Sequence, residues 1–320
     1  MSMKATTALQ DFNRLWTGFR ASRVILTANN LGVFEVLQEP KTAAEAARQL
    51  KTDLRATEIL FDAVTALGLL RKTGAGYRNT ATAKTFLVST SPQYQGDMLR
   101  HADGLWKNWS NLDEVVRTGR PSRSGERQHD VFIRAMHNNA LPRVREVLAA
   151  LDLRRVRRAL DLGGGPGTYS IALAKKGITV TLFDLPDTLA TAQKIVRAAG
   201  AGNVSFRSGN FHFDDIGGPY DLVFLSQIVH SNGPVENRAL LAKAHAALAA
   251  GGTLAVHEFT LDENHAGPVS GALFSVNMLV NTGQGRSYAP GEIRTWLSEA
   301  GCSRIKVTRL GDTALVTGKK

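Results

Sequence analysis

From Ala159 to the end of the chain, short apolar segments alternate with several Ala-rich helical stretches. Strands that are apolar along their whole length and separated by helices are typical of a parallel sheet covered on both faces. Gly311-Asp312 then turns the last segment back into another apolar run, which predicts a hairpin and one antiparallel closing strand. An α/β fold is therefore predicted for this half. The apolar runs are 159–162, 178–183, 203–207, 220–229, 252–259 and 304–309.

The N-terminal part predicts a helical module with a wing. Apolar residues recur at helical spacing from 19 to 37, and Thr42-Ala43-Ala44-Glu45 is a capping-box pattern that opens a helix ending at Leu50. Asp53 can cap a further helix, and residues 69–78 form two short strands around a Gly-rich turn. This order predicts a winged helix-turn-helix. The buried stripe of the last helix would hold Leu54, Phe61, Val64 and Leu67.

The charge of the chain raises the question of nucleic acid. The formal net charge is +11, of which +10 belongs to residues 1–158. The candidate recognition helix, however, exposes one basic and two acidic residues. Contacts to phosphates and to the edges of nucleobases need basic or amide side chains instead. The basic wing leaves DNA binding as a weak alternative, and packing against another chain is favoured. The exposed residues of that helix would be Arg55, Ala56, Thr57, Glu58 and Asp62, and the basic residues of the wing are Arg71, Lys72 and Arg78.

Cysteine content and hydropathy exclude several classes of protein. Cys302 is the single cysteine, which excludes a disulfide scaffold or a zinc site built on several thiolates and fits the cytoplasm. No apolar run approaches the ~20 residues of a membrane helix, and no signal-peptide layout opens the chain.

The segment Leu160–Thr168 carries the strongest chemical signal. It follows a predicted strand, precedes a predicted helix and reads Leu-Asp-Leu-Gly-Gly-Gly-Pro-Gly-Thr. Glycines there let the backbone turn sharply and approach a ligand, while free helix amides point at it. A dinucleotide fingerprint would need glycine where Thr168 stands. The spacing of Gly163, Gly165 and Gly167 suits S-adenosylmethionine instead, which has no pyrophosphate.

Residues at the ends of the next strands give this motif its context. Asp184 ends the second strand, where a carboxylate can accept hydrogen bonds from a ribose diol. Asn210 and Phe211 follow the third strand and could bind and sandwich an adenine ring. Ser226, late on the fourth strand, could also face the ligand.

His230 and Glu258 are the candidate catalytic pair. Both lie at the carboxyl ends of predicted strands, the edge at which α/β sheets bind ligands. A histidine with a pKa of ~6.5 can remove a proton from a hydroxyl acceptor near neutral pH, and the carboxylate can orient its ring. His257 is a rival base, although strand alternation points it to the opposite face of the sheet.

With these residues in place, the chain resembles the dimeric S-adenosylmethionine-dependent O-methyltransferases of the caffeate and hydroxyneurosporene type over roughly residues 15–318. This resemblance is based on the glycine motif, Phe183-Asp184-Leu185-Pro186, Gly209-Asn210-Phe211 and the pair His230 and Glu258. Leu31-Gly32-Val33-Phe34 and Leu67-Gly68-Leu69-Leu70 match the N-terminal module of that family.

The resemblance implies a helical winged-helix dimerisation domain at 1–100 and a helical connector lining the acceptor pocket at 101–155. A Rossmann-like class I methyltransferase domain would occupy 156–320. It also implies a homodimer, no metal, S-adenosylhomocysteine as the product and a small aromatic acceptor. Cofactor contacts are expected at Gly163, Gly165, Asp184, Asn210, Phe211 and Ser226, catalysis at His230 and Glu258, and acceptor contacts at Met136, Phe274, Asn277 and Met278.

Three departures from the family pattern affect the expected site. Asn210 stands where the family usually has Asp, and Ser231-Asn232 replaces an Asp-Trp pair after the base. Gly285 stands where a second acid is expected, which leaves His230 with one carboxylate partner. C-methylation or a decarboxylation assisted by bound cofactor therefore stays an alternative, and a nicotinamide dehydrogenase is a weaker one opposed by Thr168.

Overall fold

The computed structural model describes residues 3–74, 76–122 and 129–320. The chain forms two compact units, residues 1–103 and 104–320. The first unit contains, in chain order, α1 (Met3–Asn30), α2 (Val33–Val36), α3 (Ala43–Leu50), α4 (Leu54–Ala66), β1 (Leu70–Thr73), β2 (Gly76–Asn79), α5 (Ala81–Phe86) and the start of α6 (Gly96–Trp109).

Capping side chains fix the starts of α3 and α4. The Thr42 hydroxyl accepts a hydrogen bond from the Glu45 amide at 3.2 Å, and the Glu45 carboxylate accepts one from the Thr42 amide at 2.8 Å. Asp53 accepts from the amide of Ala56 at 2.8 Å. Both predicted caps are confirmed, as is the antiparallel wing formed by β1 and β2.

The buried stripe of α4 was only partly predicted. Phe61 and Val64 are fully buried, but Leu54 is 50% and Leu67 40% exposed. These two residues lie at the ends of the helix, beyond the reach of the core. Thr57, expected on the exposed face, is buried instead. The core of this unit includes Ala28, Val33, Phe34, Leu37, Ala46, Leu70, Tyr77 and Leu87.

The second unit carries the large sheet and its helices. None of the helices in the described ranges is both long and apolar enough to cross a membrane. After α6 the elements are α7 (Leu112–Thr118), α8 (His129–Ala140), a 3-10 turn (Leu141–Arg143), α9 (Val144–Ala150), β3 (Arg158–Leu162), α10 (Thr168–Ala174), β4 (Thr179–Asp184), α11 (Pro186–Ala198), β5 (Val204–Ser208), β6 (Tyr220–Ser226), a 3-10 turn (Val229–Ser231), α12 (Pro234–Ala246), β7 (Leu248–Phe259), α13 (Val269–Asn281), α14 (Pro290–Glu299), β8 (Ser303–Leu310) and β9 (Thr313–Lys319).

The seven strands lie in the order β5-β4-β3-β6-β7-β9-β8. Strands β3 to β7 are parallel, and β9 is antiparallel to both of its neighbours, so the predicted α/β sheet with an antiparallel closing strand is confirmed. The chain winds outward from β3 through β4 to β5 and then crosses back to β6. The carboxyl ends of β3 and β6 therefore flank the point where the strand order reverses, which is where open α/β sheets bind ligands.

The predicted strand over 220–229 is three residues too long. Strand β6 ends at Ser226, and Gln227 has a left-handed backbone with φ of 61°. Residues Val229–Ser231 form a 3-10 turn. His230 therefore lies on a turn beyond the sheet edge, not on the strand.

We expect the cap at Thr42 to contribute measurably to the stability of the first unit. Thr42→Ala removes the acceptor for the amide of Glu45 and should lower the free energy of unfolding by about 1 kcal/mol, measured by urea denaturation. Thr42→Ser keeps the hydroxyl and should cost far less. An equal loss in both variants would show that the cap is not responsible.

Candidate active site

The loop from Gly163 to Gly167, here called the glycine loop, turns sharply after β3. Gly163, Gly165 and Gly167 have positive φ angles of 69°, 53° and 77°, which favour glycine. The Gly163 amide donates to the Phe183 carbonyl at 2.9 Å. A Cβ atom on Gly163 would clash with Ile228, whereas one on Gly165 would meet open space. The loop is thus tied to β4 and leaves room for a ligand at Gly165.

Asp184 is bound to the glycine loop from the end of β4. One carboxylate oxygen accepts from the Gly165 amide at 2.8 Å, and the other accepts from the Leu185 amide at 2.7 Å. Burial raises the pKa of Asp184, while these amides and the Thr188 hydroxyl oppose that rise. Thr188 also contacts His129 Nε2 of α8 at 3.2 Å. The sequence-predicted carboxylate therefore lies beside the loop, held from several sides.

The turn after β5 brings Phe211 next to the glycine loop. Asn210 forms hydrogen bonds within this turn. Its side-chain oxygen accepts from the backbone amide of His212 at 3.0 Å, and its backbone amide donates to the Asp214 carboxylate at 2.7 Å. Lys243 of α12 donates to the carbonyls of Phe211, His212 and Asp214 at 2.8 to 3.2 Å. One ammonium group therefore holds the whole turn.

Ser226 lies in a chain of hydrogen bonds whose direction can be assigned. Thr313 donates to the Leu310 carbonyl at 2.8 Å, so it accepts from Nε2–H of His257 at 3.1 Å. Nδ1 of His257 is then the acceptor for the Ser226 hydroxyl at 2.9 Å, and Ser226 also shares a hydrogen bond with the Tyr169 hydroxyl. His257 therefore serves this chain, and Ser226 is already engaged with protein groups.

His230 and Glu258 meet at 2.7 Å, between Nδ1 of the ring and one carboxylate oxygen. The second oxygen of Glu258 accepts from the Val229 amide at 2.8 Å. Glu258 is 1% and His230 9% exposed, so the pair is shielded from water. One carboxylate thus fixes both the backbone of the turn and the ring that the turn carries.

Further polar groups hold the turn in place. Asn237 of α12 donates to the Val229 carbonyl at 2.9 Å and accepts from Asn232 at 3.2 Å. Tyr288 donates its hydroxyl to the Asn232 carbonyl at 2.6 Å, and burial raises the pKa of Tyr288 to about 12, which keeps it a donor. The position of His230 is therefore fixed by α12 and the segment before α14 as well as by Glu258.

The structure brings Phe274 of α13, a predicted acceptor-lining residue, to His230. Their ring centroids are 4.9 Å apart with the planes at 88°, and Phe274 also packs on Phe259 at 4.6 Å. Asn277, one turn further along α13, accepts from the indole of Trp109 at 2.9 Å. Met278 is 8% exposed and Met136 of α8 is half-buried.

Gly285, where the family pattern has an acid, packs tightly against the turn that carries His230. A Cβ atom at this position would clash with the His230 carbonyl and with the Thr282 side chain. An acidic side chain at 285 would therefore need a rearranged turn. Among the described residues, Glu258 is the one carboxylate that contacts His230.

Sequence reasoning gave no role to two residues of this region. Asp161 is 2% exposed and accepts from the Ser170 hydroxyl at 2.7 Å, and burial raises its pKa to about 6. Gln227 combines its left-handed backbone with a buried side-chain amide that has no described partner. For Asp161, the sequence did offer a signal, because an acidic residue inside an otherwise apolar strand is unusual. Nothing in the sequence marks Gln227, because its strain and burial depend on the turn. In the described ranges, no group of three or more His, Cys, Asp or Glu side chains is arranged to hold a metal ion.

The neutral state of His257 should make stability depend on pH. Burial lowers its pKa from the ordinary 6.5 to about 4, so between these values the unfolded chain binds a proton that the folded chain does not. This contribution makes stability fall as the pH is lowered from 6.5 to 4. His257→Gln should therefore destabilise the protein less at pH 4.5 than at pH 7.5 in chemical denaturation.

The half-exposed His265 provides the matched control. His265→Gln makes the same chemical change at an exposed position, where Nε2 lies 3.4 Å from a Glu292 oxygen, and should destabilise the protein no less at pH 4.5 than at pH 7.5. If His257→Gln cost the same at both values, the neutral buried imidazole would be the wrong description.

Comparisons with known proteins identify the family of the chain. A family model described as an O-methyltransferase domain matches residues 115–303, and one described as an O-methyltransferase dimerisation domain matches residues 13–89. The 3-hydroxy-5-methyl-1-naphthoate 3-O-methyltransferase of Streptomyces sahachiroi is 35% identical, covering 96% of this chain and 94% of that protein. The acetylserotonin O-methyltransferase of Rattus norvegicus is 34% identical, covering 94% of this chain and 75% of that protein.

Solved structures extend the similarity to the whole fold. Human N-acetylserotonin methyltransferase in complex with SAM has a TM-score of 0.91 at 28% identity, covering 100% of this chain and 99% of that one. PigF with SAH has a TM-score of 0.89 at 28% identity, covering 97% and 99%. The chain therefore belongs to the S-adenosylmethionine-dependent O-methyltransferases that pair a catalytic α/β domain with a helical dimerisation domain, and it is an O-methyltransferase.

Proposed function

We propose that this enzyme transfers the methyl group of S-adenosylmethionine to a hydroxyl of a small aromatic acceptor, with His230 as the general base. The pair formed by His230 and Glu258 beyond the end of β6 carries this proposal. Since the family and the relatives are O-methyltransferases, C-methylation and decarboxylation are no longer favoured.

Glu258 supports the chemistry by fixing the ring of His230. A carboxylate accepting from Nδ1–H leaves the lone pair of Nε2 to take the acceptor proton, and the same carboxylate stabilises the imidazolium that forms. As the acceptor oxygen forms its bond to the methyl carbon, the bond from that carbon to sulfur breaks. His230 then releases the proton to solvent. Holding oxygen and methyl in line would supply much of the rate.

The residues around the glycine loop fit the cofactor. When bound, S-adenosylmethionine supplies an electrophilic methyl group on its sulfonium. The open face of the loop at Gly165 accommodates a close ligand, and unused lone pairs of Asp184 can accept from a ribose diol. Phe211 offers an aromatic surface for adenine beside the loop. Asn210 and Ser226 are already bonded within the protein, so we expect smaller contributions from their side chains.

An aromatic acceptor suits the surroundings of His230. The rings of Phe274 and Phe259 form an apolar surface that starts at the imidazole and can stack on an aromatic acceptor. The bacterial relative is named for a hydroxylated naphthoate. We infer that Phe274 contacts the acceptor directly and that Met136, Asn277 and Met278 shape the pocket around it.

His230→Gln should remove the general base while leaving the cofactor region intact. We expect kcat to fall by roughly 10²- to 10⁴-fold, the usual contribution of such a base. Affinity for S-adenosylhomocysteine, measured by calorimetry, should stay within about twofold, because the glycine loop and Asp184 are unchanged.

The surface change His265→Gln is the control and should retain full turnover. Turnover of His230→Gln at the native rate would reject His230 as the base. Failure of the native protein to bind S-adenosylhomocysteine at high micromolar concentration would reject the cofactor assignment.

We also propose that residues 1–100 form the dimerisation domain of a homodimer, 101–155 a connector lining the acceptor pocket, and 156–320 the cofactor-binding domain. Large apolar side chains of α1 lie exposed on about one third of its circumference, a stripe that a partner chain would cover. In the wing, Lys72 is paired with Asp62 at 2.8 Å, which leaves less basic surface for DNA. The stripe consists of Leu9, Phe12, Leu15, Trp16 and Phe19, each at least 46% exposed.

A charge placed in this stripe should weaken the dimer. Phe12→Glu would put a carboxylate into an apolar interface and should shift the particle toward monomer, measured by light scattering after gel filtration. Gln10→Glu adds the same charge outside the stripe and should leave the mass unchanged. A native chain that is monomeric at micromolar concentration would contradict the proposal.

A further inference from the structure

Two aromatic side chains connect the proposed base to a cation in the catalytic unit. Phe274 meets His230 edge-on, and Phe259 packs against Phe274 with centroids 4.6 Å apart. The guanidinium carbon of Arg143 lies 5.4 Å from the centroid of Phe259. We call Phe274 and Phe259 the aromatic wall. Its near end is the imidazole of His230, and its far end is the positive charge of Arg143.

Arg143 is held in place while part of its guanidinium stays available. Its Nη1 donates to the carbonyl and the side-chain oxygen of Asn139, both at 2.9 Å. Its Nη2 makes one long contact of 3.5 Å with Asp312, whose side chain is 38% exposed. Among the described residues, nothing accepts from Nε or from the second hydrogen of Nη2. That edge of a guanidinium is one that binds a carboxylate through two parallel hydrogen bonds.

The positive charge of Arg143 influences the pKa values of two residues, Tyr169 and His257. Burial raises the pKa of Tyr169 to about 12, and the positive charge of Arg143 opposes that rise. Burial lowers the pKa of His257 to about 4, with a smaller contribution in the same direction from Arg143. Tyr169 lies in the first turn of α10, directly after the glycine loop. Arg143 therefore adds positive potential at Tyr169 and His257, with Asp312 as its one described ion-pair partner.

We propose that Arg143 forms a carboxylate-binding subsite at the far end of the aromatic wall, and that the preferred acceptors are hydroxyarenes that carry a carboxylate. The inference rests on the proposed function. An acceptor ring stacked on the wall places its hydroxyl at His230 and its acid at the free edge of Arg143. The same chemistry could come from the methionyl carboxylate of the cofactor, and the position of the wall favours the acceptor.

Three naphthalene probes with one hydroxyl at the same ring position test the subsite: a hydroxynaphthoate, its carboxamide and the unsubstituted naphthol. Binding is measured by calorimetry in the presence of S-adenosylhomocysteine, and KM wherever turnover is detected. We expect the native enzyme to prefer the acid. Arg143→Gln should weaken binding of the acid by roughly 10- to 100-fold, as for a charge-assisted bidentate contact, and change the two neutral probes by less than about threefold.

Arg145→Gln is the matched control, because it removes the same charge from an exposed position two residues away and should leave all three probes unchanged. A second arm compares S-adenosylhomocysteine with 5′-methylthioadenosine, which lacks the amino-acid group. If Arg143→Gln weakens only S-adenosylhomocysteine, Arg143 binds the carboxylate of the cofactor, and the proposed subsite for an acceptor carboxylate is rejected.

Two further results would overturn the proposal. One is a native enzyme that binds acid and carboxamide equally well, and the other is an Arg143→Gln variant that binds every probe and S-adenosylhomocysteine as the native enzyme does. Neither result affects the proposed O-methylation, which is tested separately by the turnover of His230→Gln.

Discussion

The geometry around His230 depends on one buried carboxylate, that of Glu258. Glu258 lies one residue beyond the last pairing of β6 with β7, and its two oxygens hold the Val229 amide and the His230 ring. Removing a carboxylate from water is costly unless its hydrogen bonds are satisfied in the protein, so this geometry tolerates little displacement. The left-handed turn at Gln227 lets the chain leave β6 and bring those two donors to Glu258.

Side chains of β7 alternate between the two faces of the sheet. This alternation separates the hydrogen bonds of His257 from those of Glu258, although the two residues are adjacent in the sequence. Glu258 contacts the turn that carries His230, while His257 belongs to the chain of hydrogen bonds from Tyr169 through Ser226 to Thr313. Because adjacent residues of a strand point to opposite faces, the His257 ring and the Glu258 carboxylate belong to different sets of hydrogen bonds. The pleat of β7 therefore places the His257 side chain on the opposite face from the carboxylate that contacts His230.

The sequence allowed candidate site residues to be located wherever their positions follow from the order of strands and helices along the chain. The glycine loop, Asp184 and the pair of His230 and Glu258 all lie at carboxyl ends of parallel strands, so an alternating pattern already places them on one edge. Contacts that depend on distant segments were not predictable. That Phe274 reaches His230 follows from the packing of α13, and that Ser226 is already bonded follows from where β9 and α10 put Thr313 and Tyr169.

The same distinction applies to charge. The excess of +10 in the first 158 residues says nothing about which cation meets a ligand, because exposed charges are screened within about 10 Å by salt. Arg134 pairs with Asp130 on the surface, and Arg154 with Asp152, and such pairs contribute little. Arg143 differs because Phe259 shields one side of it and Asn139 fixes its orientation. A charge held in this way interacts more strongly with a ligand than several solvated charges do. The local packing of this one arginine therefore matters more than the net charge of the chain for what the site can bind.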